Sequence, residues 1–185
     1  MNEKEKMLSG ELYDSTVEYL ADERLQAKNL CYEYNFLKPQ EIDKKKEVLK
    51  KLLAKMGKNY TIEPNFYCDY GYNIEIGENF YSNHNLVILD PAKVTFGDNV
   101  FIGPNCAFYT PEHPLDAETR NKGLEYAKPI KVGNNVWFGG NVVVLSGVTI
   151  GDNCVIGAGS VVTKNIPDYS IAVGIPAKVI KKLKE

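Results

Sequence analysis

The chain has 185 residues, of which 44% are hydrophobic and 25% are charged, so it is long enough to bury a core as one domain. Its formal net charge of −2 excludes the strongly basic surface that binds nucleic acid or an anionic membrane. The opening residues lack the apolar core of a signal peptide, and no apolar run is long enough to cross a bilayer. We therefore expect a cytoplasmic protein without nucleic-acid or membrane partners.

The first part of the chain, residues 1–57, is predicted to be an N-terminal helical segment. It is rich in Glu and Lys and carries apolar residues at helical spacing. One helix is predicted over about 22–37, and a second follows Pro39 and ends near Gly57. Weaker signals predict a short helix before residue 10.

A six-residue period begins at Ile62 and is most regular over residues 132–166. A mostly apolar residue opens each unit, at Ile62, Cys68, Ile76, Ser82, Ile88, Phe96, Ile102, Phe108, Val132, Phe138, Val144, Ile150, Ile156 and Val162. No single repeat of this length can bury its apolar side, so a fixed short period predicts a solenoid. Six residues leave room for one short strand and one turn, which favours a parallel β-helix.

The fourth place of each unit predicts how the chain turns. It holds Asn65, Gly71, Asn79, Asn85, Pro91, Asn99, Asn105, Pro111, Asn135, Asn141, Gly147, Asn153, Gly159 and Asn165. Asn and Gly reach the left-handed backbone region most readily. Three such corners make one triangular coil of about 18 residues, with coils about 4.8 Å apart.

Three breaks interrupt the period, and all are predicted to lie at one corner of the triangle. The step is longer than six from Cys68 to the next unit, from Ile88, and above all from Phe108. Because the breaks come every third unit, they stack on one edge. The longest, 109–131, is predicted to be an extruded loop on a β-helix that spans 58–170.

The end of the chain, residues 171–185, reads IAVGIPAKVIKKLKE. We predict an irregular return followed by a short basic C-terminal helix that caps the open end of the β-helix. The fold class expected for the chain is therefore mainly β, with an N-terminal α-helical segment and a short C-terminal helix.

Chemistry is expected at the interrupted edge, because loops on a rigid scaffold often carry function. The longest loop contains His113, and the same corner of lower coils offers Asp69 and Asp90. An imidazole beside carboxylates is a suitable general base. The alternative is a loop histidine that only fixes local turns. His84 lies on a regular unit, where a structural role or a substrate contact is expected.

Other chemistries find little support in the sequence. There is no Walker loop, no GxSxG elbow and no GxGxxG between a strand and a helix. A three-histidine zinc site would need one more histidine than the chain contains, which disfavours a carbonic-anhydrase-like role but leaves metal sites with other ligands open; no metal-binding residue is predicted. The four cysteines lack metal or disulfide-framework spacing and are expected to be structural thiols.

Several segments resemble one family of enzymes. The hexads, TPEHPLDAETRN, GNNVWFGG, GVTIGDNCVIGAGSVVTK and GIPAKVI are similar to the hexapeptide-repeat acyltransferases, specifically the maltose and galactoside O-acetyltransferases, which include nodulation acetyltransferases. EKEKMLSGELYDS, LCYEYNF and EPNFYCDYGYNIEIGENFYSN extend the resemblance over nearly the whole chain. The resemblance implies a left-handed parallel β-helix, a homotrimer with active sites between neighbouring subunits, acetyl-CoA as donor, and no metal requirement for catalysis.

The resemblance also implies roles for particular residues. His113 matches the family's catalytic base. Residues at the acceptor pocket are implied to be Asp14, Asp69, Tyr81, Asn83 and Asp90. Residues along the CoA groove are implied to be Trp137, Gly140, Ala158, Thr163 and Lys164, with Lys178 and Lys181 near the phosphates.

The expected function is direct transfer of an acetyl group from acetyl-CoA to a hydroxyl of a maltose-, glucose- or galactoside-like sugar. Two alternatives stay open at this point. One is a hexapeptide acyltransferase with another acceptor, such as an antibiotic hydroxyl or an amine, and the other is a non-catalytic trimeric binding scaffold. The acceptor is open because Asp69, His84 and Glu125 differ from residues of the galactoside enzymes, although the maltose type shares the acid at position 69.

Overall fold

The computed structural model describes residues 1–184, and its first part is helical as predicted. It contains α1 (Glu3–Ser9), the short strand β1 (Tyr13–Asp14), α2 (Glu18–Phe36) and α3 (Ile42–Leu52). α1 begins with a capping box in which Asn2 and Glu5 bind each other's backbone N–H groups, and it ends at Gly10, whose φ is 80°. The short helix predicted before residue 10 from weaker signals is therefore confirmed.

The predicted end of α3 near Gly57 was wrong. The helix ends at Leu52, although apolar residues at helical spacing continue beyond it. The following backbone instead joins the first coil, because the N–H groups of Ala54 and Gly57 donate to the carbonyl oxygens of Ile74 and Ile76, both at 3.1 Å. These backbone hydrogen bonds replace those of another helical turn.

The rest of the chain winds through three parallel sheets, which we number as faces in the order in which the chain visits them. Face 1 holds β2 (Tyr60–Ile62), β5 (Phe80–Ser82), β8 (Phe101–Ile102), β13 (Trp137–Phe138), β16 (Val155–Ile156) and β18 (Ser170–Val173). Face 2 holds β3 (Phe66–Cys68), β6 (Leu86–Leu89), β9 (Ala107–Tyr109), β14 (Val143–Val144) and β17 (Val161–Val162). Face 3 holds β4 (Ile74–Glu75), β7 (Val94–Phe96), β12 (Ile130–Val132) and β15 (Thr149–Ile150). The predicted parallel β-helix is confirmed.

The pairing of strands confirms the predicted register of the repeat. On face 2 the residues that open successive units are direct ladder neighbours, in the order Cys68, Ile88, Phe108, Val144 and Val162. Their side chains point into the prism and are at most 5% exposed. The register therefore continues across the longest break without a shift.

The corners confirm most of the predicted left-handed positions. Positive φ values occur at Gly71, Asn79, Asn85, Asn99, Asn105, Asn135, Asn141, Gly147, Asn153 and Gly159. Asn65 and Asn165 lack this conformation, so the prediction was wrong there. The side chain of Asn165 instead accepts a hydrogen bond from the Thr149 N–H at 2.8 Å.

Buried aromatic rings fill the lower and middle coils. Phe80, Phe96, Phe108 and Phe138 form a chain of edge-to-face contacts with centroids 4.9 to 5.3 Å apart. Such pairs contribute about 0.5–1.5 kcal/mol each beyond the area they bury. This aromatic stack fills the interior of the β-helix and connects successive coils.

All three breaks lie at the corner between faces 2 and 3, as predicted. We call this the interrupted corner; it comprises residues 69–73, 90–93 and 109–129, which connect β3 to β4, β6 to β7 and β9 to β12. The longest connection has structure of its own, with β10 (Pro111–Glu112), α4 (Ala117–Asn121) and β11 (Leu124–Ala127). β11 pairs antiparallel with both β10 and β1, so the N-terminal segment is tied to the loop.

The predicted C-terminal helix was wrong. Residues Lys178–Lys182 form β19, which pairs antiparallel with β18 at the end of face 1. The physical reason is that β18 would otherwise leave a row of unpaired backbone groups, and the β-branched residues of β19 suit a strand. A strand with two lysines at its end therefore covers this edge.

The outward side chains differ between the three faces. Face 3 presents a polar row of Glu75, Thr95, Lys131 and Thr149. Face 1 presents Thr61, Tyr81, Phe101, Trp137, Val155 and Ile171, and face 2 presents Tyr67, Val87, Ala107, Val143 and Val161. Tyr67, Phe101 and Trp137 are each about half exposed, at 51%, 48% and 57%. Two adjoining faces are thus apolar on the outside.

No helix within residues 1–184 combines the length and the apolar character needed to cross a bilayer.

Candidate active site

Asp90 holds together the lower part of the interrupted corner. Its side chain is completely buried, and its carboxylate accepts backbone N–H groups of Asp69 at 3.0 Å, Tyr70 at 2.9 Å and Gly71 at 2.8 Å. Burial raises the pKa of Asp90 to about 7, while the N–H donors oppose that rise. Asp90 was predicted at the acceptor pocket, and in this structure its oxygens bind the turn that presents Asp69.

Asp69 is the free carboxylate of this turn. It is only partly buried, and its side chain makes none of the hydrogen bonds found among the described residues. Burial raises the pKa of Asp69 to about 6, and the charge of Glu125 adds to the rise, while Arg24 opposes it. Asp69 therefore lies within electrostatic range of a carboxylate of the long loop and of an arginine of α2.

His113 lies just after β10 and its side chain is 57% exposed. Its Nε2 atom is 3.9 Å from Oε2 of Glu125, which projects from β11. The hydroxyl of Tyr13 donates to the other oxygen of Glu125 at 2.6 Å. Tyr13 and Glu125 are also ladder partners in the β1–β11 pair, so the N-terminal segment fixes the carboxylate beside the histidine.

Asp14 lies on β1, next to this group. Its Oδ1 atom accepts the N–H of Thr16 at 2.8 Å and the hydroxyl of Thr16 at 2.6 Å, and these hydrogen bonds lower the pKa of Asp14. The guanidinium of Arg24 donates to the Tyr70 hydroxyl and to the Ser15 carbonyl, both at 2.7 Å. The site at the interrupted corner is thus acidic, with one positioned arginine at its edge.

The sequence analysis missed three residues of this site. Tyr13 and Arg24 were not singled out, and Glu125 was noted only as a difference from the galactoside enzymes. The six-residue period does not predict the positions of these residues, because they lie outside the repeat units. They reach the corner through the β1–β11 pairing and the packing of α2. The predicted cluster of His113, Asp69 and Asp90 followed from the register alone.

A second group of predicted residues lies on face 1, away from His113 in the same subunit. Tyr81, Asn83 and Trp137 line an open cleft of about 420 Å³ together with Phe101 and Gly103. The cleft follows the outward row of face 1 and the corner between faces 1 and 2. His113 belongs to the corner between faces 2 and 3, so face 2 separates the two groups.

The remaining predicted residues lie in later coils, toward the C-terminal end of the β-helix. Gly140 and Ala158 lie at the corner between faces 1 and 2, and Lys178 and Lys181 are exposed on β19 at the end of face 1. Thr163 and Lys164 are exposed at the corner between faces 2 and 3, after β17. One subunit therefore carries part of the predicted CoA groove on each of two separate edges.

The arrangement is chemically suited to proton transfer from a polar acceptor. An exposed imidazole lies beside a carboxylate, and further carboxyl groups at the same corner can accept hydrogen bonds from hydroxyl or ammonium groups. Within residues 1–184, no three His, Cys, Asp or Glu side chains are grouped as metal ligands would be.

Family models match two parts of the chain. A maltose acetyltransferase hexapeptide capping motif matches residues 6–57, and a model of six bacterial transferase hexapeptide repeats matches residues 129–164. The first contains the end of α1 and all of α2 and α3, and the second contains the most regular coils.

Similar proteins cover nearly the whole chain. The galactoside O-acetyltransferase of Escherichia coli (strain K12) is 46% identical over 181 residues, 98% of this chain and 89% of that protein. The crystal structure of a maltose O-acetyltransferase from Clostridium difficile 630 has a TM-score of 0.99 and 50% identity, and the match covers 100% of this chain and 99% of that one. A galactoside acetyltransferase in complex with coenzyme A has a TM-score of 0.96 and 46% identity, covering 100% and 92%.

Proposed function

The chain belongs to the family of galactoside and maltose O-acetyltransferases, and on this basis we propose that it transfers the acetyl group of acetyl-CoA to a hydroxyl group of a sugar, with His113 as general base. The observation that carries the proposal is the pairing of His113 with Glu125 on a loop that overhangs the β-helix. A scaffold without catalysis would have no use for an exposed imidazole held beside a positioned carboxylate.

The reaction proposed is a direct attack within a ternary complex. A ring nitrogen of His113 takes the proton of the acceptor hydroxyl as its oxygen attacks the thioester carbon, and the CoA thiolate then leaves and is protonated. The carboxylate of Glu125 at 3.9 Å attracts the positive charge that the ring gains. Holding both substrates beside one base makes the bimolecular attack effectively unimolecular, and backbone N–H groups can stabilise the oxyanion.

The acidic lining supports a hydroxyl-rich acceptor. Asp69 and Glu125 are close enough for the charge of one to influence the other, and a sugar offers several hydroxyl donors to such carboxylate acceptors. Asp14 and Arg24 lie at the rim and extend the polar surface. An acceptor with an amine would also suit this acidic corner, so the acceptor screen below includes one.

We place the donor along the cleft of face 1. Trp137 supplies an apolar wall, and Gly140 and Ala158 leave room at the corner because they lack large side chains. The lysines of β19 lie at the end of the same face, where positive charge favours phosphate groups. The structure of the galactoside acetyltransferase with coenzyme A supports a CoA site in this fold.

We propose that three copies form a ring that joins the two groups of residues. Around a threefold axis, one surface of each subunit meets a different surface of the next. If face 2 packs against face 1 of the neighbour, the two apolar outward rows meet beside the donor cleft and polar face 3 stays in water. The interrupted corner with His113 then lies beside the neighbour's Trp137, and the active site is shared.

The test measures thiol release from acetyl-CoA with glucose, maltose, galactosides and an amino sugar as acceptors. We expect turnover with at least one sugar, and His113→Ala should lower kcat by roughly 10²- to 10⁴-fold because the general base is lost. Glu118→Ala, an exposed change on α4 of the same loop, is the matched control and should keep wild-type turnover. Wild-type turnover in His113→Ala would refute the mechanism, and activity with the amine alone would refute the sugar acceptor.

A further inference from the structure

Two of the four cysteines lie side by side in the core. Cys31 is on α2 and Cys68 is the last residue of β3, and their Sγ atoms are 3.7 Å apart. Both side chains are buried, at 1% and 5% exposed. Each sulfur is therefore the other's nearest polar partner, across the boundary between the helical segment and the first coil.

The other two cysteines are placed differently. The thiol of Cys106 donates to the carbonyl oxygen of Gly139 at 3.1 Å, and that of Cys154 donates to the carbonyl oxygen of Pro167 at 3.3 Å. Both occupy the fifth place of a six-residue unit and are completely buried. The pair formed by Cys31 and Cys68 has a thiol partner instead of a carbonyl.

The elements that carry the pair are fixed side by side. The side chain of Asn35 on α2 donates to the carbonyl of Phe66 at 2.9 Å and accepts its N–H at 2.8 Å. A disulfide needs its sulfur atoms about 2.05 Å apart, so the two would have to approach by less than about 2 Å. Side-chain rotation can provide much of this movement, since the backbones are already adjacent.

We propose that Cys31 and Cys68 are a site of reversible oxidation, at which a peroxide converts the two thiols to a disulfide that joins α2 to the first coil. The Cys31 thiolate attacks one peroxide oxygen, the O–O bond breaks, and the sulfenic acid and one water form. The Cys68 thiolate then attacks the Cys31 sulfur, and the hydroxyl leaves with a proton as the second water. Two thiols are oxidised and one hydrogen peroxide is reduced, which balances the step.

The environment favours this order of attack. Either sulfur can donate in the contact between the two thiols; with Cys68 as the donor, the contact lowers the pKa of Cys31, whereas this contact and burial raise the pKa of Cys68. Oxidation of a thiol depends on its thiolate character and on access by the oxidant, and hydrogen peroxide is the oxidant proposed because it is small and uncharged. The chemistry is independent of the proposed acetyl transfer, although Cys68 directly precedes Asp69.

The test treats the full-length wild-type protein with hydrogen peroxide and counts thiols after denaturation. We expect the count to fall from four to two, with a peptide map that contains one disulfide, Cys31–Cys68, and full recovery with dithiothreitol. The oxidised protein should melt about 5–10 °C higher, because the bond closes a long loop in the unfolded chain. Fragments cut by trypsin between the two cysteines should stay joined until they are reduced.

Matched variants separate this pair from the other cysteines. The double variant Cys106→Ser/Cys154→Ser should still form the Cys31–Cys68 bond, and Cys31→Ser should form no intrachain disulfide. Four surviving thiols, a bond to Cys106 or Cys154, a bond between chains, or sulfinic acid without a disulfide would each overturn the proposal. Because the wild-type map decides the result, a variant that fails to fold does not prevent the test.

Discussion

Two carboxyl groups of the interrupted corner show how the same side chain acquires different roles. Asp90 is surrounded by backbone N–H donors and organises the turn above β3. Asp69, on that turn, is partly buried, has no hydrogen-bond partner for its carboxylate among the described residues, and lies within electrostatic range of Glu125. Removing Asp90 would leave several buried N–H groups without acceptors, whereas removing the Asp69 charge changes mainly the pocket.

The raised pKa of Asp69 predicts a specific pH dependence of stability. Its folded value is about 6 and its ordinary value is 3.8, so the folded state holds the proton more tightly between these pH values. The resulting stability is complete below the lower value and is lost as pH rises through the upper one. The melting temperature of Asp69→Asn should therefore fall less than that of the wild type between pH 4 and 7.

The control for this pH series is Asp43→Asn, an exposed change on α3 that should keep the wild-type slope. Asp90, whose pKa is also raised, is present in every protein of the series, but the charge of Asp69 is one cause of that rise, so Asp69→Asn also reduces the pH dependence that Asp90 contributes. If the melting temperature of Asp69→Asn changes with pH as steeply as that of the wild type, the pKa of Asp69 is not raised in the folded state.

The residues of the corner were predictable from the sequence to different degrees. The register places Asp69, Asp90 and His113 on one edge, because a period of six with three faces leaves no other position for the breaks. The contact between His113 and Glu125 was not predictable, since it depends on how the hairpin within the loop closes. The supporting hydroxyl of Tyr13 arrives from a strand of two residues, which has no periodic signal.

At the scale of elements, successive coils can lie close together because glycine residues occupy the positions where their backbones approach. A Cβ atom built on Gly97 would lie 2.8 Å from the carbonyl carbon and oxygen of Gly133 in the next coil. Backbone atoms cannot move aside as a side chain can. At Gly159, by contrast, a Cβ would meet nothing within 4 Å, and only the positive φ of 72° disfavours alanine.

Gly97→Ala should therefore lower the melting temperature more than Gly159→Ala does. The second change costs about 1 kcal/mol for the left-handed conformation, or roughly 2–4 °C for a chain of this size. The first must also separate two coils, so we expect a fall of at least roughly twice that size. Thermal unfolding followed by circular dichroism measures both, and equal shifts would show that the coils can move apart freely.

The elements that the sequence mispredicted share one cause. α3 ends before its apolar pattern does, and the end of the chain pairs as β19 although its lysines and apolar residues also fit a short helix. In both places a neighbouring strand offers free backbone groups, and pairing with them overrides local preference. The regular coils were predictable because each unit there has the same neighbours as the next.

The molecule as a whole has its proposed catalytic groups on two edges that one subunit cannot bring together. Face 2 separates His113 from the cleft at Trp137, and both adjoining faces are apolar outside. A ring of three copies accounts for the separation of His113 from Trp137 and for the two apolar faces. It does so with a single kind of interface, which is repeated around the threefold axis. Sedimentation should accordingly give the mass of a trimer, and a stable monomer would remove the shared site.

Mixed trimers test whether the site is shared. His113→Ala subunits lack the base, and Trp137→Asp subunits carry a carboxylate where we propose the anionic donor to lie. Each variant alone should be nearly inactive. Co-expressed in equal amounts, they should regain about a quarter of wild-type activity, because one neighbouring pair in four combines two intact halves.

The matched control mixes His113→Ala with Asp69→Asn, two changes at the same corner of one subunit. Because each of these subunits has a damaged corner, the mixture should show no activity beyond the average of the two separate preparations. Recovery in this control, or its absence in the first mixture, would contradict a site divided between neighbours in this way.

All three breaks of the six-residue period lie at the interrupted corner. This placement affects how such a protein can change during evolution. Connections of different lengths leave the same corner, and the strand register above and below them is unchanged. Insertions, deletions and loop exchanges at this corner can therefore alter the acceptor surface while the core and the face that we assign to the donor keep their geometry. Acceptor preference can therefore change while the part of the donor site on face 1 stays the same.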